Sequence, residues 1–149
     1  MKISTKSRYG LRAMVDLAVY AEVEQLSLNT IAGRQEVSVN YLEQIFSSLR
    51  KAGLVKSVKG AQGGYILADH PDRISVGMVL RVLEGDLSVA QEQISPGVQP
   101  ESDLRVFLDR MVWQRVNESI NKTVDAISLE DLANEYRGKN ENISGMYYI

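Results

Sequence analysis

The amino-acid sequence predicts a mainly α-helical protein carrying one small β-hairpin, and three observations carry that prediction. Between Ser38 and Gly53, Leu42, Ile45, Phe46 and Leu49 recur at steps of three and four, the stripe of a helix with one buried face. The stretch 54–67, LVKSVKGAQGGYIL, sets two short apolar runs around a segment with three glycines, as a hairpin does. From 103 to 126 an apolar residue returns every third or fourth position, enough for about six helical turns.

The remaining elements come in order. Residues 6–22, KSRYGLRAMVDLAVYAE, place Leu11, Met14, Leu17, Ala18 and Ala21 at helical spacing behind Ser4 or Thr5 as caps. A shorter second helix lies in SLNTIAGRQE, with Ser27 as its cap, Leu28, Ile31 and Ala32 on one face, and a break at 35–38. The third helix starts at Ser38, and its polar face carries Asn40, Glu43, Gln44, Ser47 and Ser48. Arg50 and Lys51 suit the negative end of its dipole, and Gly53 stops it. After the hairpin and an HPDR turn, a fourth helix runs through Val76, Val79, Leu80 and Leu83 to Gly85. Residues 86–102 hold two of the three prolines and little periodicity, so they read as a linker loop. The long helix has the stripe Leu104, Leu108, Met111, Val112, Val116, Ile120 and Val124, and Ser128 caps a last short helix, SLEDLANEYRG. The division expected is 1–85 for the first unit, 86–102 for the linker, 103–137 for the last two helices and 138–149 for a flexible tail.

Composition removes several classes of function. With no cysteine, the chain offers no disulfide and no thiolate for zinc or an iron–sulfur cluster. One histidine and no acid–base constellation leave an enzyme almost nothing to work with. No secretory leader stands at residues 1–10 and no run of about 18 apolar residues occurs, so a cytoplasmic protein is expected. The net charge of −2 conceals +3 over residues 1–70 and −5 over 71–149. A basic first half is a footprint for polyanions, and equally an ordinary solvated surface.

The glycines are not a phosphate cradle. A Walker loop needs lysine and Ser/Thr after its last glycine, whereas Tyr65-Ile66-Leu67 follows here, and Gly60, Gly63 and Gly64 miss the dinucleotide spacing. Three helices followed by a hairpin is instead the order of a winged helix-turn-helix domain, which lays its third helix in the major groove. The fold class expected is therefore a winged helix-turn-helix domain plus a long dimerisation helix. Asn40, Tyr41 and Gln44, behind Ser38, then face base edges, where Asn and Gln pair bidentately with adenine. Glu43 either accepts from a cytosine amino group or pairs with Arg8 or Arg50, and Tyr41 either reads a base or sits half-buried with its hydroxyl on a phosphate. Lys56, Lys59, Gln62 and Gly63 belong to the wing, where charge and close backbone approach reach phosphates or a narrow minor groove. Lys2, Ser4, Thr5, Lys6, Arg8 and Tyr9 open the first helix, as phosphate clamps, as caps, or as both. The apolar stripe of the long helix exceeds what one small core covers, so two such helices are expected to pack across a two-fold axis. Trp113 belongs to the core or to that seam, and His70 to the surface.

Four stretches, MKISTKSRYGLRAM, YLEQIFSSLRKAGLVKSVKGAQGGYIL, the helix before Glu84-Gly85, and SLEDLA, resemble the Rrf2 family of bacterial winged-helix regulators. The resemblance covers most of the chain and implies a homodimeric transcription regulator on a near-palindromic double-stranded DNA operator. Within the family the start and the closing Tyr147-Tyr148-Ile149 are most similar to the cysteine-metabolism repressors. That likeness implies a repressor of cysteine and sulfur genes whose partner is O-acetylserine thiol-lyase (cysteine synthase), with Tyr147, Tyr148 and Ile149 as the partner-binding tail. Three departures stand out. Many family members carry three cluster-ligating cysteines in the loop matching 86–102, which has none here, so no cofactor is expected. Ser7 stands where the family often has glycine, and Asp86 where the cysteine repressors have proline. The alternative kept open is a winged-helix module that recruits a protein and binds little or no DNA.

Overall fold

The computed structural model describes residues 1–21, 24–60, 63–97, 99 and 103–147, without the side chains of 141–147. Helix α1, Thr5–Tyr20, starts where the Ser4 hydroxyl accepts from the Ser7 amide. Helix α2, Leu28–Gln35, is capped in the same way by Ser27 and ends at Glu36, whose φ of 56° turns the chain. Helix α3, Val39–Lys51, is capped by Ser38. Strands β1, Val55–Val58, and β2, Gly64–Leu67, pair antiparallel in the register Val55 to Leu67 and Val58 to Gly64. A 3-10 turn, Pro71–Arg73, leads into α4, Val76–Glu84. Beyond the loop come α5, Leu104–Leu108, a π turn at Asp109–Trp113, α6, Gln114–Asp125, and α7, Leu129–Tyr147.

The core lies where α1, α2, α3, the hairpin and the start of α7 meet. Met14, Leu17, Ile31, Leu42, Ile45, Phe46, Leu49 and Leu129 are fully buried there, and Tyr65 of β2 meets the Phe46 ring edge-on at 5.0 Å. Burying each such side chain contributes about 1.5–3 kcal/mol, so the α3 stripe is fixed inward. One strand-like contact left no mark in the sequence: Leu26 pairs with Tyr65, with N–H···O distances of 3.0 and 2.8 Å, and extends the sheet beyond β2. Gly64 makes room for it, since a Cβ there would lie 2.4 Å from the Leu26 carbonyl oxygen.

Two expectations need correction. The long helix is not one uninterrupted element, because the π turn inserts a residue and rotates the downstream part by about 100° relative to a straight helix. The expected stripe also splits, between Val116 and Ile120. Leu104, Leu108, Met111, Val112 and Val116 are exposed, whereas Ile120 and Val124 pack against Val76, Leu80 and Leu87 of their own chain. The last helix is not short, and residues 138–147 are not a loose tail, since α7 runs for 19 residues to Tyr147. Gly138 alone costs a helix only about 1 kcal/mol, and the turn before it is docked by Arg137, which donates to the Ala18 and Val19 carbonyls at 3.1 and 2.7 Å.

An ion pair between the buried Asp16 and the exposed Arg34 braces α1 against α2. The Asp16 carboxylate accepts from Arg34 Nε at 2.9 Å, Arg34 Nη2 at 2.7 Å and Gln35 Nε2 at 2.8 Å, and the Arg34 guanidinium also lies 4.0 Å from the centre of the Tyr20 ring. The Asp16 bond raises the Arg34 pKa further above its ordinary value. Arg34→Ala leaves the buried Asp16 carboxylate without its cation and should lower unfolding stability by about 3 kcal/mol in a urea titration. Asp16→Asn, which keeps an acceptor, should lose less.

Candidate nucleic-acid interface

The sequence arranges α3 so that its polar residues have only one way to point. With Leu42, Ile45, Phe46 and Leu49 at zero exposure, Asn40, Glu43 and Gln44 are left exposed on the opposite face. Glu43 makes no ion pair among the described residues, so neither Arg8 nor Arg50 draws it off that face. Ser38 is occupied as the cap of α3, accepting from the Tyr41 amide at 3.1 Å. Tyr41 is half-buried and meets the Tyr9 ring edge-on at 6.1 Å. Arg12 lies 5.0 Å from the centre of that Tyr9 ring and donates to the Gln35 carbonyl at 2.6 Å. This stack sets the first turns of α1 beside the first turns of α3.

Lys2, Thr5 and Arg8 are exposed and Lys6 is half-buried on that edge, with Arg8 donating to the Thr5 hydroxyl at 3.1 Å. Arg50 is exposed at the far end of α3, about 15 Å along the axis from Asn40. In the wing, Lys56 and Lys59 are exposed. The wing turn closes with the Gly63 amide donating to the Gly60 carbonyl at 3.1 Å, and Gly60 has a φ of +142°. Gln62 lies outside the described residues, as do Tyr148 and Ile149.

Ser4 is placed differently from a free phosphate clamp. Its amide donates to both Glu84 carboxylate oxygens at 3.2 Å, and the Ser4 and Ser7 hydroxyls donate to the same carboxylate. The Ser4 hydroxyl, then that of Ser7, holds the Glu84 carboxyl below the usual carboxylate range. Its charge therefore supports the folded state above the ordinary carboxylate pKa, and that support fades as pH falls through the lowered value. Glu84 escaped the sequence reading because its partners lie 77 and 80 positions away. The signal available was an acidic residue ending a helix, where the dipole disfavours it. Arg81 is a second such anchor, clasping Asp125 at 2.7 and 2.9 Å and Asn121 at 2.6 Å to join α4 to α6. Trp113 is half-buried, and its Nε1 donates to Glu92 at 3.3 Å, which pins the loop before α5.

A polar-faced helix over a fully buried stripe, followed by a lysine-bearing glycine hairpin, defines a winged-helix DNA-binding transcription regulator. The chain belongs to the Rrf2 family, described as an iron-dependent transcriptional regulator, whose profile matches residues 3–135. The HTH-type transcriptional regulator CymR of Bacillus subtilis is 42% identical over 149 residues, 100% of both chains. IscR of Aliivibrio salmonicida is 39% identical over 132 residues, 89% of this chain and 77% of that one. The solved structure of CymR, the global cysteine regulator of B. subtilis, superposes with a TM-score of 0.75 at 41% identity, covering 91% of this chain and 98% of that one. Family and relatives are regulators of transcription, and so is this chain; it is not an enzyme.

The donors present do not match the iron in the family's description. The chain has no cysteine. In the loop before α5, Asp86 accepts from Ser88 at 2.7 Å and Glu92 from Trp113. This set does not fit an iron–sulfur cluster. His70, Asp72 and Glu130 bring ligand atoms within 4.8 Å of one another at the base of the wing, but His70 and Asp72 are bonded to each other at 2.6 Å in the cap of the 3-10 turn.

Reading and gripping should separate by mutation. Gln44→Ala should weaken binding to the preferred site while sparing most non-specific binding. Lys59→Ala should weaken binding to every duplex and reduce the slope of log K against log salt by about one unit. Fluorescence anisotropy on operator and random DNA across a salt series checks both, and equal losses on the two duplexes for Gln44→Ala would remove it from the reading set.

Proposed function

We propose that the protein is a homodimeric, cytoplasmic repressor of cysteine and sulfur metabolism genes, binding a near-palindromic operator through α3 and the wing. The observation that carries the dimer is an apolar strip on one helical run: Leu104, Phe107 and Met111 are 69%, 57% and 48% exposed. Leu108, Val112 and Val116 continue it. Packing this strip on its copy across a two-fold axis removes it from water and sets two α3 helices on one duplex. Full-length similarity to CymR supports the cysteine regulon. DNA fragments retained by the purified protein, once sequenced, test it: sites upstream of sulfur genes support the regulon, and their absence removes it.

Ile120 and Val124 belong to their own chain's packing, so the dimer test uses Met111→Glu with Val112→Glu, both on exposed positions. The pair should yield folded monomers by sedimentation, with binding to a full operator weakened far more than binding to a half-site. A double variant that still sediments as a dimer places the interface elsewhere. Salt dependence of binding also separates this reading from a protein-recruiting module, which would show no duplex binding to titrate.

The partner reading rests on likeness to the cysteine repressors. O-acetylserine thiol-lyase is proposed to take Tyr147, Tyr148 and Ile149, two rings and an isoleucine in sequence. Deleting Ile149 should abolish binding of the enzyme, and O-acetylserine should compete with the intact chain for it. Unchanged affinity after the deletion would send the partner contact elsewhere.

A further inference from the structure

Residues 1–4 precede α1 as a short arm, and two anchors of different chemistry fix it. Ile3 packs into the small apolar cluster of Val76, Leu80 and Leu87. Next to it, the Glu84 carboxylate takes the amide and hydroxyl of Ser4, and the hydroxyl of the fully buried Ser7. Glu84 lies at the end of α4, where its own helix disfavours it and the positive end of α1 accepts it. Between and beside these anchors Lys2, Thr5 and Arg8 stay exposed and Lys6 half-exposed.

We propose that Glu84 is a positioning residue for DNA binding: it pins the arm and the first turn of α1 so that Lys2, Lys6 and Arg8 meet the operator's phosphates already ordered. The inference rests on the phosphate-contacting role proposed for those three residues. An arm ordered only on the duplex would spend conformational entropy at each encounter, whereas a pinned arm does not. Glu84 also assigns the donors at the head of α1. They serve an internal carboxylate, so the phosphates there are met by side-chain cations. Ser7 is integral to the device, because a glycine at that position would supply no hydroxyl. No contact between Glu84 and α3 is involved, so the effect falls on grip and not on base selection.

Full-length protein is titrated by fluorescence anisotropy on its operator and on a random duplex across a salt series, with unfolding temperature and dimer mass measured in parallel. Glu84→Ala should weaken binding to both duplexes by about tenfold and lower the salt slope by about one to two units, one for each loosened phosphate contact. The ratio between the duplexes should not change. Glu84→Gln retains an acceptor for the serines and should stay within about threefold of the wild type. Lys2→Ala should cost much less in the Glu84→Ala background than alone, since the two act through one contact. Loss of stability alone lowers the active fraction and moves neither the slope nor that coupling. Should Glu84→Ala not fold, Ser7→Ala removes one of the same hydrogen bonds and should move affinity and slope in the same direction by a smaller amount. Unchanged affinity and slope for Glu84→Ala, with Lys2→Ala and Lys6→Ala lowering the slope, would overturn the positioning role while leaving the DNA-contacting arm intact. Tighter binding would overturn it too, marking Glu84 as a competitor of phosphate. If Lys2→Ala and Lys6→Ala leave the slope unchanged, the arm does not touch DNA and the inference falls with that reading.

Discussion

Everything this molecule offers to a duplex depends on the burial of one helical stripe. Leu42, Ile45, Phe46 and Leu49 are wholly removed from water, and α3 has no freedom to roll about its axis without exposing them. The same rigidity that stabilises the core therefore orients Asn40, Glu43 and Gln44. The surrounding elements serve this constraint from several sides. Asp16 and Arg34 lock α2 to α1, the Tyr9–Tyr41 contact ties the head of α1 to the head of α3, and Tyr65 carries the wing against Phe46. The exposed face of α3, the head of α1 and the wing are thus parts of one packed body.

The range of the forces involved decided which features the sequence disclosed. Local signals were legible: the serines before α1, α2 and α3 cap them, and the α3 stripe and the hairpin lie where periodicity placed them. Exposed polar residues on α3 emerged as the complement of the buried ones. Contacts distant along the chain were not legible. Leu26 sits in a connector with no strand pattern and pairs with Tyr65 because Gly64 lets the backbones meet. Glu84 and Ser4 come together only once α4 crosses α1, and Gly10 makes that approach close, since a Cβ there would lie against Leu83.

The long helical run shows why periodicity alone misassigns faces. Seven apolar residues at regular spacing read as one surface, but the stripe divides between Val116 and Ile120, and the two parts serve different purposes. Ile120 and Val124 close the packing of α6 on α4, with the Arg81 clasp beside them. Leu104, Leu108, Met111, Val112 and Val116 stay exposed on their own chain. Sequence spacing does not say which element a stripe meets, so the division between internal packing and an outward strip was visible only in three dimensions.

The loop between α4 and α5 brings these threads together. In a family described as iron-dependent, this chain has no thiolate to hold a cluster, and residues 89–92 of the loop are held by ordinary hydrogen bonds. The Val89 amide donates to Asn117 at 2.7 Å, Asn117 donates to the Ala90 carbonyl at 3.1 Å, and Trp113 holds Glu92. Leu87 is buried beneath them, and Gly85, with a φ of +89°, turns the chain from α4 into the loop. Such contacts are individually modest, each worth about 1 kcal/mol, and together they fix the segment without a redox-active centre. Residues 87–92 are thus kept as a polar clasp on the π turn and α6.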